Sequence, residues 1–517
     1  MSYSKKLLLL IVIATVLRLL FATATELNAD EAYYWTYALK LQWNYFDHPP
    51  LVALLIRLTT ANLLLHTEVF VRLGAIIAAG ICTWLMFRIG TLINNIQTGW
   101  FAALLYTASI YGSISAGANI LPDSPEMIFW LGSILLLIKI LKENEDDYPK
   151  QNLLWPMFGL VSGLCMMSKV TGVFLWFGVL LFALFMRRDW FKKRGIYFAA
   201  IISLIVIAPI IVWNIQNNFV SYKFHSSRIS MYKQGLDGVG FAKAIVQQIS
   251  INNPIIFFLI CSNLILAFRG KIPVKQLEIK ILLFCSLPLI FIVFIISLFR
   301  ETFAHWPAPA YMCLIPLPAI NLARPAKNKA GNIPVIIKWA LGYFVFIGLS
   351  QIAVANYFPG TLSLQKQGPK TGADDITLDA YGWKQAGWKF DSLYNHDVAK
   401  KIMPSGSPVI ITNWFPAAAI EFYITPNTGQ QVLGMGDIQD LHQYYWTNND
   451  KQPLKAGDNA YYMVPSDLFY YRTFNLVAKH FREYDTPLVI TQYRSGFICR
   501  YITVYRMKGY IKPNSYK

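Results

Sequence analysis

The chain has 517 residues, of which 55% are hydrophobic and only 14% charged, and its mean hydropathy is +0.40. That balance excludes a soluble enzyme built throughout from compact cores, and equally a disordered, collagenous or coiled-coil chain. The net charge of +18 raises nucleic acid as a partner, but residues 1–355 carry 29 Lys+Arg against 15 Asp+Glu and the remaining 162 residues only 17 against 13. The excess lies largely in short loops between apolar runs, as membrane topology requires, so no nucleic-acid partner is expected.

The first apolar run, 7–24, follows Lys5 and Lys6 and is read as an uncleaved membrane helix, because further spans follow and it fits their alternation. Runs near 69–90, 99–117, 125–141, 153–167, 170–186, 196–213, 254–268, 278–299, 304–321 and 333–354 bring the expected total to about eleven. Basic clusters at Arg187, Arg188, Lys192, Lys193 and Arg194, at Arg269, Lys271 and Lys275, and at Arg324, Lys327 and Lys329 fall on the side of Lys5 and Lys6. That side is the cytoplasm by the positive-inside rule, which places the tail outside. Cys82, Cys165, Cys261, Cys285 and Cys313 lie in apolar runs and only Cys499 in the tail, which argues against a disulfide framework.

The expected organisation is a polytopic α-helical membrane domain over 1–355 and an extracytoplasmic α/β domain over 356–517. Two outer loops stand out. The first, 25–66, reads as an amphipathic helix from Asp30 to about Leu41, a bend at Asp47 to Pro50, and a second helix through Leu64, both lying along the interface; the second covers 214–252. In the tail, Trp383–Met403 and Pro416–Tyr423 read as helices, and Pro408–Thr412, Val432–Met435 and Tyr461–Val464 as strands. A hairpin, Leu488–Tyr493 and Phe497–Tyr505, is joined by Arg494-Ser495-Gly496. No nucleotide-binding loop is present, so no nucleotide cofactor is expected.

Polar residues are expensive near lipid, so those reaching one face are candidate functional groups. Asp30, Glu31, Asp47 and His48 lie in the first outer loop, Arg72 at the outer start of the second span, Asp123 between the third and fourth, Lys169 between the fifth and sixth, His225 and Arg228 in the long second loop, and His305 at the start of the tenth. A carboxylate such as Asp30 also suits a helix cap, and Lys169 and Arg72 suit snorkelling to headgroups. Topology alone leaves an enzyme level with a transporter or flippase of lipid-linked sugars.

Motifs separate the two. Asn28-Ala29-Asp30-Glu31-Ala32-Tyr33-Tyr34-Trp35 and Tyr45-Phe46-Asp47-His48-Pro49-Pro50-Leu51 resemble the first outer loop of the bacterial members of the protein O-mannosyltransferase superfamily. These are GT-C membrane glycosyltransferases, a group that includes lipid A aminoarabinose and galacturonic acid transferases. The resemblance continues, in order, through Leu121-Pro122-Asp123-Ser124-Pro125, Ser168-Lys169-Val170-Thr171, Pro209 to Asn214 with Phe224 and Arg228, His305-Trp306-Pro307-Ala308-Pro309-Ala310-Tyr311 and Tyr381-Gly382-Trp383.

The resemblance implies a GT-C fold and transfer of a sugar from a polyprenyl-phosphate-linked donor to an envelope glycolipid, glycan or protein outside the cytoplasmic membrane, by inverting displacement. It places Asp30, with Glu31, at the reaction centre. Where relatives often carry Lys before the Pro-Pro pair this chain has His48, so the donor phosphate is expected to meet Lys169, Arg72 and Arg228 together with His48. Asp123 and His305 complete the active face. Asp47, His48 and His225 are the residues the resemblance offers as ligands for a divalent metal, although their scattered spacing is no metal signature.

Overall fold

The structure, a computed structural model, describes residues 2–143, 148–231, 235–324, 332–468 and 471–511; Lys327 and Lys329 of the third basic cluster lie outside the described residues. The chain forms two compact units, one of Met1–Ala22 with Leu41–Gly348 and the other of Thr23–Lys40 with Leu349–Lys517. The first outer loop, expected as one interfacial piece, is thus divided. Its helix Ala29–Leu39 belongs to the C-terminal unit and its helix Leu51–Thr59 to the membrane unit.

Apolar helices stand where the sequence marks them. However, only six, Tyr3–Ala24, Glu68–Ile93, Asp123–Lys142, Arg194–Gln216, Gln276–Ser297 and Val335–Tyr357, are long and apolar enough to cross a membrane among the described residues. The bent pair Gly238–Ile251 and Pro254–Phe268 makes a seventh if it is one span. This is fewer than expected, because the other apolar segments are short or interrupted. Leu153–Ser168, Val170–Met186 and Ala308–Leu322 fall short of the roughly 20 residues a straight span needs. Ile96–Ala108 gives way to a π-helical turn, Tyr111–Ser115.

Helix contact in this unit depends on close packing, since lipid is as apolar as leucine and no hydrophobic force drives helices together. Gly90 and Gly99 allow Glu68–Ile93 and Ile96–Ala108 to touch backbone to backbone: a Cβ on Gly90 would lie 2.9 Å from the Gly99 Cα. Asp123–Lys142 is largely enclosed by its neighbours, whereas Arg194–Gln216 and Val335–Tyr357 are mostly exposed and lipid-facing. The broken segments are tolerated at this depth because irregular backbone is acceptable only where protein encloses it or it lines a cavity.

The C-terminal unit is a mixed sheet flanked by helices. Strands β1 (Val409–Ile411), β2 (Val432–Gly434) and β3 (Ala460–Pro465) run parallel, while β4 (Phe481–Tyr484), β5 (Leu488–Arg494) and β6 (Phe497–Tyr510) add antiparallel pairings, in the order β2-β1-β3-β6-β4 with β5 on β6. The hairpin and first three strands lie where the alternation predicts; β4 and the helix Tyr471–Ala478 before it were not foreseen. The Tyr381-Gly382-Trp383 motif acquires a physical reason. Gly382 adopts φ +86°, which favours glycine, and the helix Trp383–Ala399 starts with its first two N–H groups donated to the Glu26 carboxylate. Burial pushes the Glu26 carboxyl up, while those N–H groups pull it back.

Candidate active site

In the membrane unit the broken segments deliver polar side chains to one place. Lys169 holds extended backbone (φ −157°, ψ 143°) in the one-residue gap between Tyr148–Ser168 and the 3-10 turn Val170–Gly172. The break frees its side chain to reach Asp123 at the start of Asp123–Lys142, where Nζ lies 2.9 Å from both carboxylate oxygens. The pair is buried, and Tyr111 from the π-helical turn donates its hydroxyl to Asp123 Oδ1 at 2.9 Å. Single π turns recur at functional sites because they re-aim one side chain out of the helical register.

One turn further along the same helix, Glu126 is also buried; the Thr171 hydroxyl donates to its Oε1, and its Oε2 has no hydrogen-bond partner among the described residues. Sequence reasoning passed over Tyr111 and Glu126 and named Thr171 only within the Ser168-Lys169-Val170-Thr171 motif. The available signals were the carboxylate three residues after Asp123, which shares its helix face, and the threonine two residues after Lys169.

Three imidazoles gather by the pair. The rings of His48 and His225 are 6.2 Å apart, and His225 Nε2 lies 2.9 Å from the backbone oxygen of Asp47. Burial first, and then the positive charges of Lys169 and Arg228, hold all three imidazoles neutral. His48, which also feels His225 and His305, is driven well below the usual histidine range; His225 is lowered; His305 is pushed down to about 4. The Arg228 guanidinium lies over the rings of Phe224 and Phe303, 5.1 Å from each centroid. It forms no ion pair among the described residues, unlike Lys169, which Asp123 already neutralises.

A cavity of about 240 Å³ opens beside these groups. Asn44, Asp47, His48, Ser221 and His225 form its polar lining, and Met166, Val170, Val173, Ile207, Ile210 and Ile211 its apolar wall. The arrangement can hold an amphiphilic anion, with its charge toward the imidazoles and Arg228 and its chain along the aliphatic wall.

Not every expected residue joins this cluster. Arg72 is buried, donates to the Ala22 carbonyl at 3.1 Å and lies over the Phe21 ring. It ties the second long helix to the first, as a buried guanidinium finds nearby carbonyls for its donors. Asp47, His48 and His225 do not fit a metal: among the described residues no group of three or more His, Cys, Asp or Glu is arranged to hold an ion. Lys169 reaches the site, but as half of a closed pair.

Asp30 and Glu31 belong to the C-terminal unit, in the helix Ala29–Leu39. The cap of that helix is Asn28, whose side chain accepts from the Glu31 N–H at 3.0 Å while Glu31 Oε2 accepts from the Asn28 N–H at 3.1 Å. Glu31 therefore closes a capping box and is buried. Asp30 is not the cap, and it is exposed. Its negative charge, with that of Asp467, joins burial in pushing the nearby Asp379 carboxyl up to about 7, against the pull of Arg500.

The described residues thus form a bundle of apolar helices with a half-apolar, imidazole-lined cavity and, separately, a mixed α/β unit. Residues 47–213 match the model of the dolichyl-phosphate-mannose-protein mannosyltransferase family. Lipid A galacturonosyltransferase RgtD of Rhizobium johnstonii is 22% identical over 352 residues, covering 66% of this chain and 68% of that protein. ArnT from Cupriavidus metallidurans bound to undecaprenyl phosphate matches with a TM-score of 0.65 at 14% identity, over 97% of this chain and 98% of that one. Its apo form gives 0.61 at 13%, covering 98% of each. At these identities the structural likeness establishes the fold. With the family match over residues 47–213 and the curated relative, it makes the chain similar to lipid-linked-sugar-dependent membrane glycosyltransferases.

Proposed function

We propose that this chain moves a sugar from a polyprenyl-phosphate-linked donor to an envelope acceptor (lipid A, core or other glycan, or protein) on the outer face of the bacterial cytoplasmic membrane. The observation that carries the reading is the cavity, whose imidazole-lined end beside Arg228 and long aliphatic wall suit a phosphate on a prenyl chain. The curated relative and the ArnT likeness favour transfer over flipping.

The sugar phosphate ester already carries its leaving group, so the site needs a base and charge stabilisation. A base takes the proton of the acceptor hydroxyl as that oxygen bonds to the anomeric carbon and the carbon–phosphate oxygen bond breaks, inverting the centre; the sequence resemblance gives that role to Asp30. The electron pair leaves with the polyprenyl phosphate. Arg228 meets the growing charge directly, and Lys169 contributes as Asp123 shares it. The neutral imidazoles of His48 and His305 sit in a positive potential, so an arriving phosphate raises their proton affinity and gains donors as it binds.

The test compares, by mass spectrometry, envelope lipids and glycoproteins of cells with and without this chain, and then reconstitutes transfer from the purified chain with a polyprenyl-phosphate sugar. A sugar lost from one acceptor in the cells and restored in vitro is the expected result; identical envelopes and no transfer defeat the reading. The orientation is tested separately: a reporter after Lys517 should be extracytoplasmic and one near Lys193 cytoplasmic.

A further inference from the structure

The last membrane helix, Val335–Tyr357, has 23 residues. At 1.5 Å per residue it is about 34 Å long, close to the thickness of a hydrocarbon core, so Tyr357 marks where the chain leaves the bilayer. From Leu349 on this helix belongs to the C-terminal unit, and the turn between β5 and β6 is bonded to its end. Ser495 Oγ donates to the Tyr357 carbonyl at 2.8 Å. The fully buried Arg494 donates to the carbonyls of Ala355 and Gly360, to the Thr377 hydroxyl and to the Asp375 carboxylate. Asp375 in turn accepts from the Thr361 hydroxyl and the Leu362 N–H at 2.8 Å each. One guanidinium thereby fixes the exit of the span, the segment after it, the 375–377 turn and the hairpin tip to one another.

Around that staple the chain leaves large apolar side chains in the open: Tyr357 is 72% exposed, Leu364 97%, Ile376 81% and Phe497 62%, with Leu362 and Tyr493 also exposed. A water-facing domain has no reason to present six such residues around one turn. At the exit of a membrane helix, aromatic and aliphatic side chains are in the zone where they are favoured. We propose that the hairpin tip and the segment after the last span form a membrane-docking surface. Phe497, Tyr493, Leu362, Leu364 and Ile376 enter the headgroup region of the bilayer beside Tyr357, and Arg494 holds them in register with the span. The partner is the lipid bilayer itself. The proposal rests on the membrane reading of the last helix and not on the transfer reaction.

The test uses the full chain in lipid nanodiscs in a Cys261→Ser background, since the other five cysteines are buried. Phe497→Cys and Leu364→Cys are each labelled with an environment-sensitive fluorophore, and Ala456→Cys serves as control. Ala456 is exposed next to Gly457, whose N–H bonds the Tyr510 carbonyl at the far end of β6, about 40 Å along the strand from Phe497. Nanodiscs containing quencher-bearing lipids should quench the labels at 497 and 364 at least twofold more than the label at 456, with blue-shifted emission. Equal quenching at all three positions overturns the proposal. Because both probes replace exposed side chains and the readout is independent of turnover, an inactive enzyme leaves the result interpretable, and failure of docking leaves the glycosyltransferase reading intact.

Discussion

Both units bury ion pairs, yet the two sets are built differently. In the C-terminal unit Asp397 receives two guanidinium N–H groups of Arg506 and the Tyr461 hydroxyl, and Asp375 receives Arg494, Thr361, Thr377 and two backbone N–H groups. Every oxygen of these carboxylates is occupied, which is what a buried pair needs to offset its desolvation. In the membrane unit one ammonium and the Tyr111 hydroxyl serve Asp123, and beside it stands a second buried carboxylate, Glu126, one of whose oxygens accepts nothing among the described residues. Nearby, burial first, and after it the positive charges of Lys169 and Arg228, hold three imidazoles neutral. Fully satisfied pairs hold structure in place; an under-satisfied cluster is where the proposed donor phosphate would bind.

Breaking the pairs gives the largest expected effect. Arg506→Met and Lys169→Met should each destabilise the protein by about 3 to 5 kcal/mol, because each leaves a carboxylate buried without its partner. For Lys169 this means that loss of transfer in the single variant reports folding as well as chemistry. Lys169→Met with Asp123→Asn should recover stability, as measured by thermal unfolding in detergent, and remain slow in transfer. Full recovery of transfer in the double variant would make the pair purely structural.

Asp30→Asn keeps the side chain's shape and leaves the Asn28 cap untouched, so folding and donor binding should survive. Single-turnover transfer should fall by a hundredfold or more, about 2.7 kcal/mol of transition-state stabilisation. Near wild-type turnover would remove Asp30 from the chemistry.

Arg228→Gln removes the guanidinium that lies over Phe224 and Phe303 with no carboxylate partner among the described residues. A charge-assisted bond to phosphate contributes about 1.5 to 3 kcal/mol, so donor affinity should drop roughly tenfold to a hundredfold with stability nearly unchanged. Arg72→Gln gives the mirror image, lower stability with unaltered donor affinity, and a binding titration on both variants separates the two arginines.

A further effect is on pH. His305 has its proton affinity lowered from the ordinary histidine value of about 6.5 to about 4. Its neutral form therefore contributes stability above 6.5 that is lost as the pH falls toward 4. Bound polyprenyl phosphate should raise that affinity and flatten the decline, which melting curves between pH 4 and 7 with and without the lipid will show. Exhaustive chelation should leave transfer unaffected.

The sequence by itself determined the class of protein, because bilayer thickness writes itself into the length of apolar runs and positive charge into the loops. It also determined the residues around Lys169, Asp123, His48, His225, Arg228 and His305, since a polar group among such runs is costly enough to stand out. Tertiary structure decided what those groups do to one another. Lys169 is neutralised by a carboxylate 46 residues earlier, Arg72 is spent on the Ala22 carbonyl 50 residues away, and Glu31 is consumed by a cap. Pairing depends on where broken helices leave their side chains, which composition and periodicity do not encode. The division of the first outer loop was likewise invisible. Tyr33 and Trp35 stand in the sequence only as parts of the first-loop motif, but they pack on Trp414 and Phe422, and only the fold brings those partners within reach across some 380 residues of chain.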